Sequence, residues 1–199
     1  SGWPCGFAVD GSYVRALPIS VTPPEVNVCV GFAPPVTYPY TTAKAGRGHL
    51  IGWLQQPASD RDAYFIDGQP VPLDRPAKGF VTDGRWLLVD DPSDGYKSRL
   101  IDMEQNGLVL RVLDEKANDA IVRELPSYGP VVFFNSQQGP KLNAADATVT
   151  LANCGLPEGR GDVGELYGDI FVWTSAYGGA DHPYYAIGRF LHENVGICI

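Results

Sequence analysis

The clearest alternation of apolar and polar positions runs from Phe80 to Leu113. RWLLVD, YKSRLIDM and LVLRVL are apolar runs of strand length, separated by the polar turn signals DDPSDG and EQNG. Short apolar runs bounded by Gly, Asn, Asp and Pro read as strands, and three in succession predict an antiparallel meander. Asn106-Gly107 is the strongest of these turn signals, because both residues accept the positive φ angles of a type I′ hairpin turn.

The same pattern extends in both directions. Strands are expected near Tyr13 to Leu17 and Val26 to Phe32, between prolines that exclude a helix because each lacks a backbone donor. Tyr38-Pro39-Tyr40 reads as an exposed, extended loop. His49 to Leu54 and Ala63 to Asp67 read as consecutive strands joined by a polar loop, and Asp67-Gly68 is a turn signal of the same kind as Asn106-Gly107. Asp114 to Ala120 is the one helical possibility, limited to one or two turns by the cost of nucleation. The last third predicts strands at Ala120 to Leu125, Val131 to Phe134, Ala147 to Ala152, Glu165 to Thr174, Tyr184 to Leu191 and Val195 to Ile199. VVFF and DIFVW are nearly continuous apolar runs, as in strands covered on both faces. No internal repeat of propeller or solenoid length is visible, which speaks against those folds. The expected fold is all-β, with about a dozen short antiparallel strands in a compact barrel or sandwich with long Pro/Gly-rich loops. Residues 1–199 read as a single domain, excised or processed from a larger chain because the first residue is Ser1.

Composition supports this picture and narrows the function. Tyr, Trp, Val and Ile are frequent while Lys and Met are sparse, a strand-like balance. The formal net charge is −8, which argues against nucleic acid as a partner, because that affinity rests on Lys and Arg neutralising phosphates. No apolar run is long enough to span a bilayer, so no membrane insertion is expected. Cys5, Cys29, Cys154 and Cys198 are widely separated, which disfavours zinc and permits two disulfides by any of three pairings. Cys29 and Cys198 lie in apolar surroundings that suit a buried thiol.

Signatures of catalysis are mostly missing. There is no G-x-S-x-G, glycine-rich phosphate loop or H-E-x-x-H, and His49, His182 and His192 share no metal-ligand spacing. Neither a metal nor a cofactor is expected. The strongest catalytic alternative is a chymotrypsin-like β-barrel cysteine protease using Cys154 with His49 or His182, although Ala152 stands where that nucleophile turn has glycine. Carboxylate groups at Asp60/Asp62, Asp90-Asp91 and Asp162, Glu165, Asp169 have the oxygen chemistry of an acid–base pair or a calcium site. Asp90-Asp91-Pro92 is more simply a turn entry. Arg160-Gly161-Asp162 lies in the glycine-rich stretch LPEGRGDVGE, and an RGD tripeptide at a loop tip presents Arg to an acidic pocket and Asp to a receptor-bound cation. Tyrosines set among Gly and polar residues offer rigid contacts with adaptable hydrogen bonds, the chemistry of a surface that binds protein or glycan. The candidates are Tyr38, Tyr40, Tyr96, Tyr128, Tyr177 and Tyr184, with Asp181 and His182 in the segment TSAYGGADHPYY.

The Pro/Gly-broken N-terminal part, HLIGWL followed by AYFIDG, and RWLLVDD followed by the Asn106-Gly107 turn resemble the protruding spike domain of astrovirus capsid proteins, of the avian type. This resemblance implies a spike on the virion surface that dimerises and attaches to a host-cell receptor, protein or glycan. Apolar runs such as VVFF and VGICI suit a two-fold interface. A secreted or bacterial adhesion module is the remaining alternative.

Overall fold

The structure, a computed structural model, describes the backbone of residues 14–30, 34–125, 128–136, 139–144, 147–150, 161–167, 170–175, 184–191 and 194–198. Side chains are described for most residues between 19 and 144, and the strands that follow are described by their backbone pairing alone. The all-β expectation holds. Every strand pairs antiparallel with its neighbour in sequence, and the strands form five successive meanders.

The first sheet holds β1 (Val14–Val21), β2 (Pro24–Val30) and β3 (Val36–Tyr38). The second holds β4 (Thr42–Gly46), β5 (His49–Leu54), β6 (Ala63–Ile66) and β7 (Gln69–Val71). The third holds β8 (Lys78–Thr82), β9 (Trp86–Asp91), β10 (Lys97–Asp102) and β11 (Leu108–Val112), so the predicted three-stranded meander gains β8 along its edge. The fourth holds β12 (Asn118–Leu125), β13 (Gly129–Ser136), β14 (Gly139–Ala144) and β15 (Ala147–Thr150). The fifth holds β16 (Gly161–Tyr167), β17 (Ile170–Ser175), β18 (Tyr184–Leu191) and β19 (Asn194–Cys198). The single strand expected over Glu165 to Thr174 is therefore two, β16 and β17.

The sheets do not close into a barrel. The first four pack face to face in chain order, in sandwich-like contacts. Val26 and Val28 of the first sheet meet Tyr40, Ala43 and Phe65 at the second. Ile51, Tyr64 and Val71 of the second meet Leu87, Val89 and Ile101 of the third. Trp86, Leu88 and Leu100 of the third meet Val122, Val132 and Phe134 of the fourth. β9 thus alternates its side chains between two apolar neighbours, which explains its continuous run. VVFF behaves the same way, with Val131 to Phe134 all fully buried. Each such side chain contributes roughly 1.5–3 kcal/mol by leaving water.

The turns show which local signals were strong. Asp67-Gly68 forms a two-residue hairpin turn with φ of 49° and 83°, as expected. Arg47-Gly48 forms another, with φ of 51° and 86°. Asn106-Gly107 does not. Asn106 takes the left-handed conformation, but it ends a 3-10 turn at Met103–Gln105 that Asp102 caps by accepting from the Glu104 N–H. Asp91 caps Pro92–Asp94 in the same way, so the turn-entry reading of Asp90-Asp91-Pro92 is correct for Asp91. The short helix expected over Asp114 to Ala120 is absent. Ser98 holds that stretch extended: its carbonyl accepts from Leu113, its N–H donates to Glu115, and its hydroxyl accepts from Ala117.

Gly46 and Gly84 bring the first hairpins of the second and third sheets into backbone contact. A Cβ on Gly84 would lie 2.0 Å from the Gly46 carbonyl oxygen, and the φ of +108° also favours glycine. Cys29, expected as a buried thiol, is buried but disulfide-bonded. Leu108, Leu110 and Val112 on β11 are exposed. They form no single apolar stripe, because the register shifts between Leu100 and Ile101 and leaves Leu110 as a bulge. A bulge of this kind turns an edge strand away from further pairing.

Candidate recognition surface

In a meander, alternate turns lie at the same end. The β4–β5, β6–β7, β8–β9, β10–β11 and β12–β13 turns therefore share one end of the stack, and charged side chains link them across three sheets. Arg47 places Nη2 2.7 Å from Glu124 Oε2 at the end of β12, and Nη1 3.9 Å from Asp83 Oδ2 in the β8–β9 turn. Trp86 Nε1 donates to the same Glu124 oxygen at 3.1 Å. Arg85 grips Asp102 with two hydrogen bonds, of 3.2 and 2.8 Å, and lies 4.5 Å over the Trp86 ring. Its Nε is also 3.4 Å from Glu104 Oε2.

His49 completes the set. Its Nδ1 lies 2.7 Å from Asp67 Oδ2 and its Nε2 3.4 Å from Glu104 Oε1. The hydrogen bond to Asp67 raises the His49 pKa above its ordinary value; burial opposes this, and the charges of Asp67 and Glu104 add to it. Burial works against ionisation of Asp67, yet the Leu50 N–H and His49 hold its pKa below the usual range. Two guanidinium groups and one imidazole thus meet five carboxylates, Asp67, Asp83, Asp102, Glu104 and Glu124. This end is acidic and its charges are held by turns of fixed geometry. Such a surface can recognise a partner through charge and hydrogen bonding.

The opposite end is built differently. Asp62 is buried and accepts from Trp53 Nε1 (2.9 Å), Gln56 N (3.0 Å), Lys78 Nζ (2.8 Å) and Gly79 N (3.3 Å). Arg99 is also buried, donating to Asp74 and to the carbonyls of Arg75 and Pro76, with its Nε 3.6 Å from Asp91. Burial opposes ionisation of Asp91, but hydrogen bonds from Ser93 and the charges of Arg99 and Arg75 keep its pKa low. Most of their polar atoms are paired within the fold, and Asp91 Oδ2 and Arg99 Nε face each other as an ion pair without a hydrogen bond.

The structure does not gather the sequence-predicted tyrosines into one site. Tyr40 lies between β3 and β4 but is 2% exposed, which corrects the expectation that this loop is exposed: its ring lies over Gly52, stacks on Tyr38 at 5.2 Å and meets Phe65 at 4.8 Å. Burial, then Tyr38, raises its pKa. Tyr38 is half-buried at the end of β3, beside it. Tyr96 is exposed at the end opposite the charged turns, with Lys116 Nζ 5.7 Å from its ring. Tyr128 alone lies at the charged end, half-buried in the β12–β13 turn. Gly161 and Asp162 begin β16, paired with Ser175 and Thr174, where a loop tip was expected. Tyr184 begins β18. Arg160, Tyr177, Asp181 and His182 lie outside the described residues, as does Cys154. His49, considered as a base for Cys154, contacts Asp67 and Glu104.

Sequence reasoning missed Arg47, Asp67, Arg85, Asp102, Glu104 and Glu124. The turn signals marked where Asp67 and Glu104 sit, but nothing local marks which turns become neighbours. Among the described residues no group of His, Cys, Asp and Glu is arranged to hold a metal ion, and no helix is long and apolar enough to cross a membrane. Comparison of the chain with protein-family models, with curated proteins and with solved structures finds no match.

Proposed function

We propose that this domain is a recognition module that attaches a larger assembly to a cell, the role of a capsid spike binding a host-cell receptor at the virion surface. The observation that carries the reading is the charged turn end, where side chains from three sheets form a fixed acidic pattern on a rigid scaffold. Recognition sites are commonly built on loops and turns that a rigid core positions. The charge favours a basic protein surface as the receptor over an acidic glycan. The disulfide at Cys29 supports an oxidising, extracellular setting.

Binding of the fluorescently labelled 199-residue chain to cultured cells tests this. The wild type is expected to bind saturably, and the double variant Asp67→Lys/Glu104→Lys to bind at least about tenfold more weakly. Equal binding by both would sink the assignment of the surface, and no binding by either would sink the attachment role. A homodimer is part of the proposal. VVFF cannot supply its interface, because those residues are buried within the stack. Light scattering at micromolar concentration is expected to give twice the monomer mass.

A further inference from the structure

His49 stands at the seam between the second and third sheets. Its Asp67 partner closes the β6–β7 turn of its own sheet, and is latched there by accepting from the Leu50 N–H at 2.9 Å and donating its own N–H to the Leu50 carbonyl at 2.8 Å. Its other partner, Glu104, belongs to the 3-10 turn that ends β10 in the neighbouring sheet. The ring therefore touches one carboxylate on each side of the seam, one through each nitrogen.

We propose that His49 is a proton-operated clasp between the two sheets, closed when the imidazole carries both protons and released from Glu104 when it carries one. The chemistry is in the donor count. An imidazolium donates from both nitrogens, whereas a neutral ring donates from one and only accepts at the other. The shorter contact and the latched Asp67 keep the remaining proton on Nδ1. The lone pair left on Nε2 then faces the Glu104 carboxylate and repels it.

The charged neighbours fit this role. Glu104 has a second partner, the Arg85 Nε 3.4 Å away, and Arg85 is itself anchored on Asp102. On release, Glu104 passes to Arg85 within the third sheet, so the sheet keeps its own ion pairs and loses only the tie to the second. Arg47, two residues before His49, is committed to Asp83 and Glu124 and does not replace it. The clasp therefore acts on one seam of the charged end. It operates whether or not this surface binds a receptor.

Two measurements on the intact chain decide it. Titration of the His49 ring by NMR is expected to show a pKa above 6.5 in the wild type. The Glu104→Gln variant is expected to lower it, and Asp67→Asn to lower it further. Amide exchange at Gly107 and Leu50 reads the seam. Gly107 is expected to exchange faster as the pH rises through the His49 transition, beyond the ordinary base-catalysed trend, and to lose that step in His49→Gln. Leu50, held within one sheet, is expected to show no such step. A His49 pKa indifferent to Glu104→Gln would reduce the contact to a pair within the second sheet. A Gly107 step that survives in His49→Gln would likewise overturn the clasp.

Discussion

The two ends of the second and third sheets are both stitched by carboxylates, but to opposite effect. At one end Asp62, Asp91 and Arg99 are buried, and they draw on backbone groups as well as on Lys78, Asp74 and Arg75 at the rim. At the other, Asp67, Glu104, His49 and Arg47 are partly exposed; His49 reaches Glu104 and Arg47 reaches Glu124 across seams, while His49 holds Asp67 within one sheet. A buried carboxylate stripped of its donors leaves them uncompensated, whereas an exposed one leaves them to water. The first end therefore governs whether the sheets stay stacked. The second end governs what the stack shows to a partner and how it responds to pH.

Substitutions that cut each end test this contrast, and the largest effect is expected where burial is deepest. Asp62→Ala strands the Trp53 indole N–H and two backbone N–H groups and leaves the Lys78 ammonium with only the Gln56 carbonyl, and should cost about 3–5 kcal/mol in urea denaturation. A loss below about 1 kcal/mol would mean that water reaches those donors and that the two ends are alike. Gly84→Ala drives a methyl into the Gly46 carbonyl at the turn end, and overpacking of this kind costs about 1–3 kcal/mol. Thermal melting reads it, and an unchanged midpoint would show the glycine contact to be slack. Arg47→Ala removes a partly exposed pair and should cost less than about 1 kcal/mol, while double-mutant coupling to Glu124 measures the cross-sheet term directly.

The smallest expected effect is that of pH, and its alkaline limb separates the ends. The His49 pKa is raised above 6.5 by folding, so its stabilisation is complete below 6.5 and is lost as the pH rises through the folded value. The pKa values of Asp91 and Asp67 are lowered below 3.8, so their stabilisation is present above 3.8 and is lost as the pH falls through their folded values. Raising the pH should therefore loosen the turn end alone, and lowering it should weaken both. Urea midpoints across pH 3 to 9, for wild type and His49→Gln, check this; identical alkaline limbs would remove His49 from the account.

Much of the fold was legible in residues because its signals are local. HLIGWL and AYFID became β5 and β6 as read, since period and turn chemistry act over a few residues. Asp67-Gly68 made the expected turn, but Asn106-Gly107 did not, because Asp102 captured the Glu104 N–H and drew the chain into a 3-10 turn first. DEKANDA had helical composition, and Ser98, from the next strand in the sheet, overrode it. Tyr40 read as loop because Pro39 precedes it. Its burial depends on Gly52, whose missing side chain makes room for the ring.

By itself the sequence determined that this chain is all-β, roughly where many of its strands lie, and that it is acidic with no familiar catalytic motif. Only the tertiary structure decided that the strands form five stacked meanders, and that Arg47, His49, Glu104 and Glu124 meet at one end. The physical reason is range. Strand period, turn conformation and net charge are properties of neighbours in the chain. The apposition of turns from separate sheets depends on how whole faces pack, and no short stretch of residues encodes it.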